Sequence, residues 1–537
     1  MVRGMLGGGC GLPGCPLSDG GQLRLGCTVQ MFDVAVVGGG IAGMATAARL
    51  QAAGLRTLVL EAHGLPGGCA GYFRRAGFHF DVGATTLVDF EPDGVGGELL
   101  SAIGMPQLEG EVLPGYVAWL PDRRVTLHRD PARWAQERLR AFGDGPAQRS
   151  LWALFDRIAA AFWQASRNGI ALPIHSLGDV ARAVRALGLS NLPLARYIQW
   201  TVGDALRAHG LRDDPALCGL LSMLIEDTVH SKLDEAPLVN GVLGSTIRGA
   251  GLTRARGGMA GFLRRFTAQY RKLGGTLRVG TRVTAVRGRI DDFTVETTRG
   301  PFQARQVVCA IPAPLVPGLS PSAVGEALRP YLARDHDALG GALVVFLGVR
   351  DDAVAGQEYT HHQILDSYER PLGNGNNLFI SVSAPDDLES APAGHRAVMI
   401  STHCELSPWQ GLPDIEYAQR KREAGEHLLS LARRVYPNLT RAPVVCEIAT
   451  PRTYERYARR PGGAVGGVRQ SLRNANQQAL PHDLGVPGFW LCGDSTWPGL
   501  GTVACVLGSR IVASKVLGSA PASSARPSPL WELRDAQ

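Results

Sequence analysis

The feature that most constrains this chain is a glycine fingerprint that follows a buried strand pattern near its beginning. Residues 33–37 read Asp-Val-Ala-Val-Val, and Gly38, Gly40 and Gly43 then fill the pattern G-x-G-x-x-G. In such a unit the first two glycines allow a sharp turn and the close approach of a pyrophosphate, and the third lets the helix pack on the strand. The pattern predicts a nucleotide site at a helix N-terminus.

An acidic residue at the end of the next predicted strand supports this interpretation. The helical segment after the fingerprint stops at Gly54, and the strand 57–60 ends in Glu61, 18 residues after Gly43. A carboxylate in this position accepts hydrogen bonds from the adenosine ribose and would repel a 2′-phosphate. A fingerprint alone is a weak signal, because the same glycines can simply permit a turn. A strand, the fingerprint, a helix, a second strand and a terminal acid, in this order, together predict a dinucleotide-binding domain.

A second glycine turn favours FAD over NAD. Gly67 and Gly68 follow Glu61 closely, and residues 77–85 continue as Gly-Phe-His-Phe-Asp-Val-Gly-Ala-Thr. An NAD-dependent dehydrogenase usually continues directly into another strand–helix unit. A second glycine turn suits a chain that crosses over a longer dinucleotide, so we expect FAD.

The other half of the predicted site lies near the end of the chain. An apolar strand pattern runs into a turn with one carboxylate and several small residues, which are Gly493, Asp494, Gly499, Gly501 and Thr502. Small residues at a helix N-terminus let a planar ligand lie against backbone N–H groups. We interpret this turn as the seat of an isoalloxazine ring, with Asp494 near the ribityl or pyrophosphate region.

Composition excludes several other classes of protein. The net charge of +7 is spread along 537 residues, without the dense basic stripe that nucleic-acid binding needs. The ten cysteines show neither C-x-x-C pairs nor metal-ligand spacing, and His361, His362 and His403 lack such spacing too. We therefore expect no metal site, no disulfide framework, no partner nucleic acid and a cytoplasmic protein. The sequence contains no run of eighteen uncharged apolar residues, so it predicts no membrane-spanning helix.

These motifs resemble those of a known family. The fingerprint, the Pro66-Gly67-Gly68 turn, residues 80–84 (Phe-Asp-Val-Gly-Ala) and the turn at 493–502 are similar to those of flavin-dependent carotenoid desaturases and isomerases, which are related more distantly to amine oxidases. The resemblance implies FAD as cofactor and a carotenoid as substrate, and it implies that the backbone of Val283 faces the adenine. The predicted cofactor-binding residues are Gly38, Gly40, Ile41, Ala42, Gly43, Glu61, Gly67, Gly68, Val283, Gly493, Asp494, Gly499, Gly501 and Thr502.

Shorter strings narrow the resemblance. Residues 83–86 with 90–94, residues 201–206, residues 450–457 and residues 493–496 look most like carotenoid 3′,4′-desaturases, whereas isomerases of the family more often carry Cys where this chain has Thr496. The resemblance implies desaturation of the C-3′,4′ bond of an acyclic, 1′-hydroxylated carotenoid, with oxygen or a quinone as electron acceptor. Alternatives are a carotenoid cis–trans isomerase, a phytoene-desaturase-like or saturase enzyme, and a non-catalytic prenyl-protein-binding chaperone of the same fold.

The two ends of the site imply an interleaved α/β architecture. We expect an FAD-binding Rossmann-like domain of the glutathione reductase and amine oxidase type, combined with an α+β substrate domain. The predicted boundaries place 31–105, 250–320 and 440–518 in the FAD domain and 106–249 and 321–439 in the substrate domain, with disordered segments at 1–30 and 519–537.

The segment 176–200 is a candidate for membrane contact. Arg182, Arg185 and Arg196 alternate with aliphatic residues, which fits helices that lie in a membrane interface. The alternative is an amphipathic helix packed on the protein's own core. In the first case the protein would associate peripherally with the cytoplasmic membrane.

The proposed chemistry also needs a base. A desaturase removes a hydride and a proton from neighbouring carbons, so a side chain must accept the proton. Asp81, Asp89 and Glu91 lie near the predicted flavin-proximal turn and are candidates. Carboxylates in such turns also serve as caps.

Overall fold

The computed structural model describes residues 31–499 and 501–519. The predicted disordered segments therefore lie outside the described residues, except Ser519, which ends the last helix. The strands are β1 (Met31–Val37), β2 (Thr57–Leu60), β3 (Tyr72–Arg75), β4 (Phe78–Asp81), β5 (Leu87–Val88), β6 (Gly110–Val112), β7 (Gly115–Trp119), β8 (Arg124–His128), β9 (Leu252–Ala255), β10 (Thr276–Arg278), β11 (Val283–Arg289), β12 (Asp292–Thr297), β13 (Phe302–Cys309), β14 (Gly341–Arg350), β15 (His361–Leu365), β16 (Asn377–Val382), β17 (His395–Cys404), β18 (Val445–Ala449) and β19 (Phe489–Leu491).

Helices connect these strands and form a separate block between β8 and β9. The helices are α1 (Ile41–Ala52), α2 (Val95–Ala102), α3 (Pro131–Phe142), α4 (Pro146–Arg167), α5 (Leu177–Leu187), α6 (Val202–Ala208), α7 (Pro215–Val229), α8 (Leu238–Ser245), α9 (Ile247–Ala250), α10 (Gly258–Lys272), α11 (Ser322–Arg334), α12 (Asp414–Ala432), α13 (Pro451–Ala458) and α14 (Thr502–Ser519). We call α3 to α9 the helical block.

The first sheet, which we call the nucleotide sheet, has the order β10-β2-β1-β13-β12-β11. Strands β10, β2, β1 and β13 are parallel, and β12 and β11 add an antiparallel meander. Strand β19 pairs in parallel with the last residues of β13. It lies on the same side of β13 as β12, which pairs with the first residues of that strand. The chain leaves β1 toward β2 on one side, and β13 occupies the other side, so a crevice opens at the carboxyl end of β1.

The second sheet has the order β18-β14-β17-β16-β15-β7-β8. Its neighbours are antiparallel except β15 and β7. Side chains alternate between the two faces of a strand. Leu343, Val345 and Leu347 of β14 pack toward α12, whereas Val344 and Phe346 face inward, toward the nucleotide sheet. The inner face therefore forms one wall of the space between the two sheets.

One predicted domain boundary is wrong. The boundary at residue 440 separated the segment after it from the substrate domain, but β18 pairs with β14 over Val445–Ala449. A five-residue strand with a half-exposed burial pattern carries little signal of its own in the sequence. The other predicted domain boundaries stay predictions.

Helix α14 closes the fold by packing against α1 and α2. Among the described residues it is the one helix that is long and apolar enough to cross a membrane by length and composition. Half of its 18 residues are buried inside the protein. Val506, Val512 and Val516 lie in the same core cluster as α1. These contacts make α14 an internal helix of the fold.

A buried ion pair ties α1, α2 and α14 together. The guanidinium of Arg49 is fully buried and donates to both carboxylate oxygens of Glu98, at 2.8 and 2.6 Å. Its Nε also donates to the hydroxyl of Ser509 at 3.3 Å. The first helix of the chain and the last one are thus joined through charged and polar groups inside the core.

Glu98→Ala should destabilise the protein strongly, because it removes the bidentate partner of a buried cation. Breaking a buried pair in this way costs about 3–5 kcal/mol of the free energy of unfolding. Urea unfolding of the FAD-loaded protein, followed by circular dichroism, measures this loss. The matched control is Asp144→Ala, which breaks the exposed Arg149–Asp144 pair and should leave the unfolding midpoint unchanged. Equal midpoints for the two variants would contradict the assigned role of the Arg49 pair.

Candidate active site

A large cavity lies between the nucleotide sheet, the inner face of the second sheet and the helical block. Its volume is about 1840 Å³, and it runs from the fingerprint turn after β1 to residues of α5 and α7. Pockets for a single ligand measure roughly 300–1,000 Å³. The cavity is therefore large enough to hold a dinucleotide and a second, long ligand at the same time.

The fingerprint glycines meet three different demands. Gly38 has a φ of +103°, and a Cβ there would lie 2.7 Å from the carbonyl oxygen of Ala310. A Cβ on Gly43 would lie 2.1 Å from the Gly38 oxygen, so Gly43 serves helix packing and does not line the cavity. A Cβ on Gly40 would contact no protein atom and would project into the cavity. Ile41 and Ala42 open α1 beside it, so backbone N–H groups face the cavity at a helix N-terminus.

Glu61 lies at the carboxyl end of β2, beside the fingerprint. Its Oε2 accepts a hydrogen bond from the N–H of Gly39 at 2.7 Å, and its Oε1 accepts one from the N–H of His63 at 2.6 Å. These bonds fix the carboxylate at the cavity wall, where it is half-buried. Its lone pairs remain available to hydroxyl donors of a ligand.

The second glycine turn packs directly on the first. The N–H of Gly67 donates to the oxygen of Gly39 at 2.8 Å, and Gly67 pairs with Gly40 in an isolated bridge. A Cβ on Gly67 would lie 2.6 Å from both Gly71 and Leu263. Gly67 and Gly68 therefore close one wall of the cavity over the fingerprint, and Val283 of β11 lines another.

The C-terminal turn reaches the same cavity, but one of its glycines serves another purpose. Gly493, Asp494, Gly501 and Thr502 line the cavity, and a Cβ on Gly493 or Gly501 would contact no protein atom. A Cβ on Gly499 would lie 2.3 Å from Nε2 of Gln470. The prediction that Gly499 contacts the ligand is therefore not supported, because the missing side chain makes room for Gln470.

Asp494 is part of an ion pair that the sequence did not suggest. Nη1 of Arg460 donates to its Oδ2 at 2.9 Å, and both groups are largely buried and line the cavity. Nε of Arg460 is buried and finds no acceptor among the described residues. This donor and the open positions at Gly40, Gly493 and Gly501 fit a ligand with many acceptor atoms and a flat ring, as FAD has.

The three candidate bases do not line the cavity. Asp81 accepts from the N–H of Met259 at the start of α10 and from Arg254, at 2.8 and 3.1 Å. Asp89 accepts from the N–H of Val95 at 2.9 Å and pairs with Arg167 at 2.7 Å, and Glu91 pairs with Arg129 at 2.5 Å. These contacts are those of helix caps and ion pairs, so the structure does not support a base among the three.

A group of polar residues that the sequence did not single out lies at the inner end of the cavity. It comes from the end of α7 and from strands of the second sheet. Its members that line the cavity are Asp227, His230, Gln363, Asn377 and His403. Glu226 contacts Asn377 and His403 without lining the cavity. His403 was interpreted as an ordinary polar residue from the sequence. Its neighbours in space are remote along the chain, so no spacing rule could find the group.

Charge is distributed unevenly over this group. Burial alone would lower the pKa of His403, but the Glu226 carboxylate, 3.7 Å from its Nδ1, outweighs burial and raises that pKa. Burial, together with the charge of His403, holds the pKa of His230 well below its usual range. Burial raises the pKa of Asp227 to about 6. These shifts favour the cationic form of His403 and the neutral form of His230.

The rest of the inner cavity is apolar. Aromatic and aliphatic side chains of the helical block and the second sheet cover its walls, including Phe162, Trp163, Ile170, Leu172, Val184, Leu187, Met223, Val239, Leu243, Val344, Phe346 and Met399. A wall of this kind excludes water and binds a hydrocarbon chain through buried apolar area.

The fold and the site together define a dinucleotide-dependent oxidoreductase with a hydrophobic substrate cavity. A family model described as flavin containing amine oxidoreductase matches residues 41–517, and the chain belongs to this family. The predicted enzyme class and the FAD cofactor are confirmed by this match.

Full-length relatives agree with the predicted branch of the family. The chain is 23% identical to prolycopene isomerase from Daucus carota over 90% of its length and 80% of that protein. It is 26% identical to a lycopene-forming phytoene desaturase from Paracoccus sp. over 91% of its length and 98% of that protein. The solved structure of cyclohexylamine oxidase from Brevibacterium oxydans matches with a TM-score of 0.59 at 16% identity, over 91% of this chain and 99% of that one, which confirms the predicted fold.

Glu61→Ala should weaken FAD binding by about 1.5–3 kcal/mol, the range for a hydrogen bond to a charged group. Isothermal titration of the apoprotein with FAD measures the change, and Glu61→Gln, which keeps one carbonyl acceptor, should lose less. The control is Glu91→Gln, since Glu91 pairs with Arg129 outside the cavity. An unchanged affinity in Glu61→Ala would show that this carboxylate does not contact the cofactor.

Proposed function

We propose that the chain is an FAD-dependent carotenoid oxidoreductase that desaturates the C-3′,4′ bond of an acyclic, 1′-hydroxylated carotenoid. The observation that carries the proposal is the continuity of one cavity, in which a dinucleotide cradle opens directly into a long apolar space. The names of the full-length relatives, which are carotenoid enzymes, support the same substrate class. A glycine cradle with Glu61 in place favours an enzyme over a cofactor-free binder.

The residues of the cradle have distinct roles in this proposal. The N–H groups at the start of α1 would hold the pyrophosphate, Glu61 the adenosine ribose, and Val283 the adenine side. Arg460 and Asp494 would meet the ribityl and ring region as a neutral pair, which limits the charge near the ring. When bound, FAD supplies a hydride acceptor. We propose oxygen or a quinone as the final electron acceptor.

The second sheet offers a polar contact for one end of the substrate. Gln363 is 3% exposed and lines the cavity, and its Oε1 finds no donor among the described residues. A buried acceptor without a partner costs free energy, which a ligand hydroxyl can recover. This acceptor supports a hydroxylated carotenoid over a pure hydrocarbon.

An isomerase is the second candidate, because several of the full-length relatives are prolycopene isomerases. The same cradle and cavity would serve a reaction without net oxidation. Thr496, at a position where isomerases of the family more often carry Cys, bonds its hydroxyl to the oxygen of Gly493 at 2.9 Å. Thr in place of Cys at this position supports the desaturase through the resemblance.

The mass of the product distinguishes these functions. We expect cells that accumulate a 1′-hydroxylated acyclic carotenoid to yield, on expression of this chain, a pigment with two hydrogens fewer. Chromatography with mass spectrometry of the extract measures this difference, and cells with the empty vector are the control. A product isobaric with its substrate would replace the desaturase with the isomerase, and a gain of two hydrogens would indicate a saturase.

The segment 177–198 supports peripheral contact with the cytoplasmic membrane. Helix α5 begins at a capping box between Ser176 and Asp179, and a 3-10 helix continues over Leu189–Tyr197. Leu177 and Leu189 are 88% and 74% exposed, whereas Ala186 and Leu194 alone are buried in these two elements. A helix packed on its own core would bury a full stripe. We propose that this segment enters the lipid interface, with Arg182, Arg185 and Arg196 at headgroup level.

The same segment also forms the cavity wall. Val184, Leu187 and Leu192 line the cavity while neighbouring leucines point outward. A lipid-soluble substrate would therefore pass from the bilayer into the cavity without crossing water. The segment thus links the proposed location to the proposed substrate.

The double variant Leu177→Asp/Leu189→Asp should reduce sedimentation with phosphatidylglycerol-containing liposomes at least about tenfold. Burying each leucine contributes about 1.5–3 kcal/mol, and about 1.4 kcal/mol is tenfold in affinity. The control is Ile415→Asp, because Ile415 is 85% exposed on α12, on the outer side of the second sheet. If the double variant sediments like the wild type, the segment does not enter the membrane.

A further inference from the structure

Four carboxylates line the cavity, and three of them already have firm partners. Glu61 accepts two backbone N–H groups, Asp494 pairs with Arg460, and Glu447 pairs with Arg75 at 3.5 Å. Asp227 lies within 4 Å of no cationic side chain in the part of the chain that the structure describes. Its one hydrogen bond there comes from Nε2 of Gln363, at a long 3.5 Å. It is the carboxylate most available to a ligand.

Asp227 faces the cavity from the last turn of α7. Its side chain is accessible from the cavity, while protein surrounds it elsewhere, and burial raises its pKa to about 6. A carboxylate of this kind is ionised at neutral pH and is a stronger base than an ordinary one. Its neighbour His230 is a weaker base, because burial and the charge of His403 hold the pKa of His230 well below its usual range.

The end of α7 is held against the C-terminal turn. The oxygen of Val229 accepts from the N–H of Gln470 at 3.1 Å, and Nε2 of Gln470 donates to the oxygen of Pro498 at 3.2 Å. His230 contacts Gly466, whose neighbour Gly467 packs on the oxygen of Asp494. Asp227 therefore lies about one helical turn from His230, which packs beside the proposed ring site.

His403 and Glu226 control the charge around Asp227. Nδ2 of Asn377 donates to Oε2 of Glu226 at 2.6 Å, and the same oxygen lies 3.7 Å from Nδ1 of His403. The His403 ring lies 4.3 Å from the His230 ring, centroid to centroid. The charges that act on these groups are those of Glu226, Asp227, Arg460 and Arg469. The cation on His403 favours the ionised form of Asp227.

We propose that Asp227 is the catalytic base of the reaction and that His403, held by Glu226, is a positioning residue that keeps Asp227 ionised. This assignment rests on the proposed desaturation. FAD, when bound, would supply the acceptor for the hydride that leaves one C–H bond of the substrate. The neighbouring C–H bond breaks as its proton bonds to a carboxylate oxygen of Asp227, and its electron pair becomes the new C=C bond. The carbon chain is oxidised by two electrons and the flavin is reduced by two.

The first test is the rate of flavin reduction in FAD-loaded protein, mixed without oxygen with 1′-hydroxylated lycopene in phosphatidylcholine liposomes. General-base catalysis contributes roughly 10²–10⁴-fold, so Asp227→Asn should reduce the rate at least about a hundredfold, and Asp227→Glu should recover part of it. The wild-type rate should rise with pH through about 6, where Asp227 ionises, and Asp227→Asn should lack this rise. The control Glu91→Gln removes a carboxylate that is paired with Arg129 outside the cavity and should change the rate less than threefold.

The second test does not use activity. Infrared difference spectra of the FAD-loaded protein should show a carboxylic acid band that titrates near pH 6 and is missing in Asp227→Asn. In His403→Gln the midpoint of this band and of the rate profile should both move to higher pH, while the rate at high pH is kept. A purely structural role of His403 would lower the rate at every pH and leave the midpoint in place.

Three different outcomes would overturn the role of Asp227, the proposed desaturation and the role of His403. Asp227→Asn that desaturates at the wild-type rate overturns the assignment of the base and leaves the proposed function standing. A wild-type protein that yields only isobaric product overturns the desaturation and the role of Asp227 with it. An unshifted midpoint in His403→Gln overturns the role of His403 alone.

Discussion

The packing of the last helix against the first one is the contact on which the site depends. The cradle has two halves, the fingerprint after β1 and the turn after β19, and they lie more than 400 residues apart in the chain. Strand β19 pairs with β13 beside β1, Thr46 contacts Cys492 at 3.4 Å, and Arg49 bonds to Ser509. Without these contacts neither half could hold a dinucleotide. The second sheet and the helical block are inserted between the halves and need not disturb them.

The fingerprint half of the site could be predicted because its demands are local. A sharp turn with positive φ at Gly38, and an acid at the end of the next strand, are fixed by neighbours within about thirty residues. The strand patterns at β1 and β2 were readable for the same reason, since each is a short apolar run bounded by turns. The C-terminal turn could be read from its small residues and its carboxylate, although this signal is strong only in combination with the fingerprint.

The other parts of the site could not be predicted, because they depend on contacts between residues that are distant along the chain. Asp81, Asp89 and Glu91 have the composition of turn caps and of bases alike, and only the arginines that reach them from other elements decide between the two. Gly499 has the sequence context of a glycine that faces a ligand, but Gln470 packs against it. The polar group at the end of α7 left no pattern in the sequence, because Gln363, Asn377 and His403 come from strands remote from α7 along the chain.

The charge balance of the cavity explains why a polar group can persist beside an apolar wall. Arg460 and Asp494 form a pair without net charge next to the proposed ring site. The group of Glu226, Asp227 and protonated His403 carries one net negative charge when both acids are ionised. Loss of a hydride from a polyene leaves positive charge on the chain, and an opposite charge fixed in a water-excluded site stabilises it.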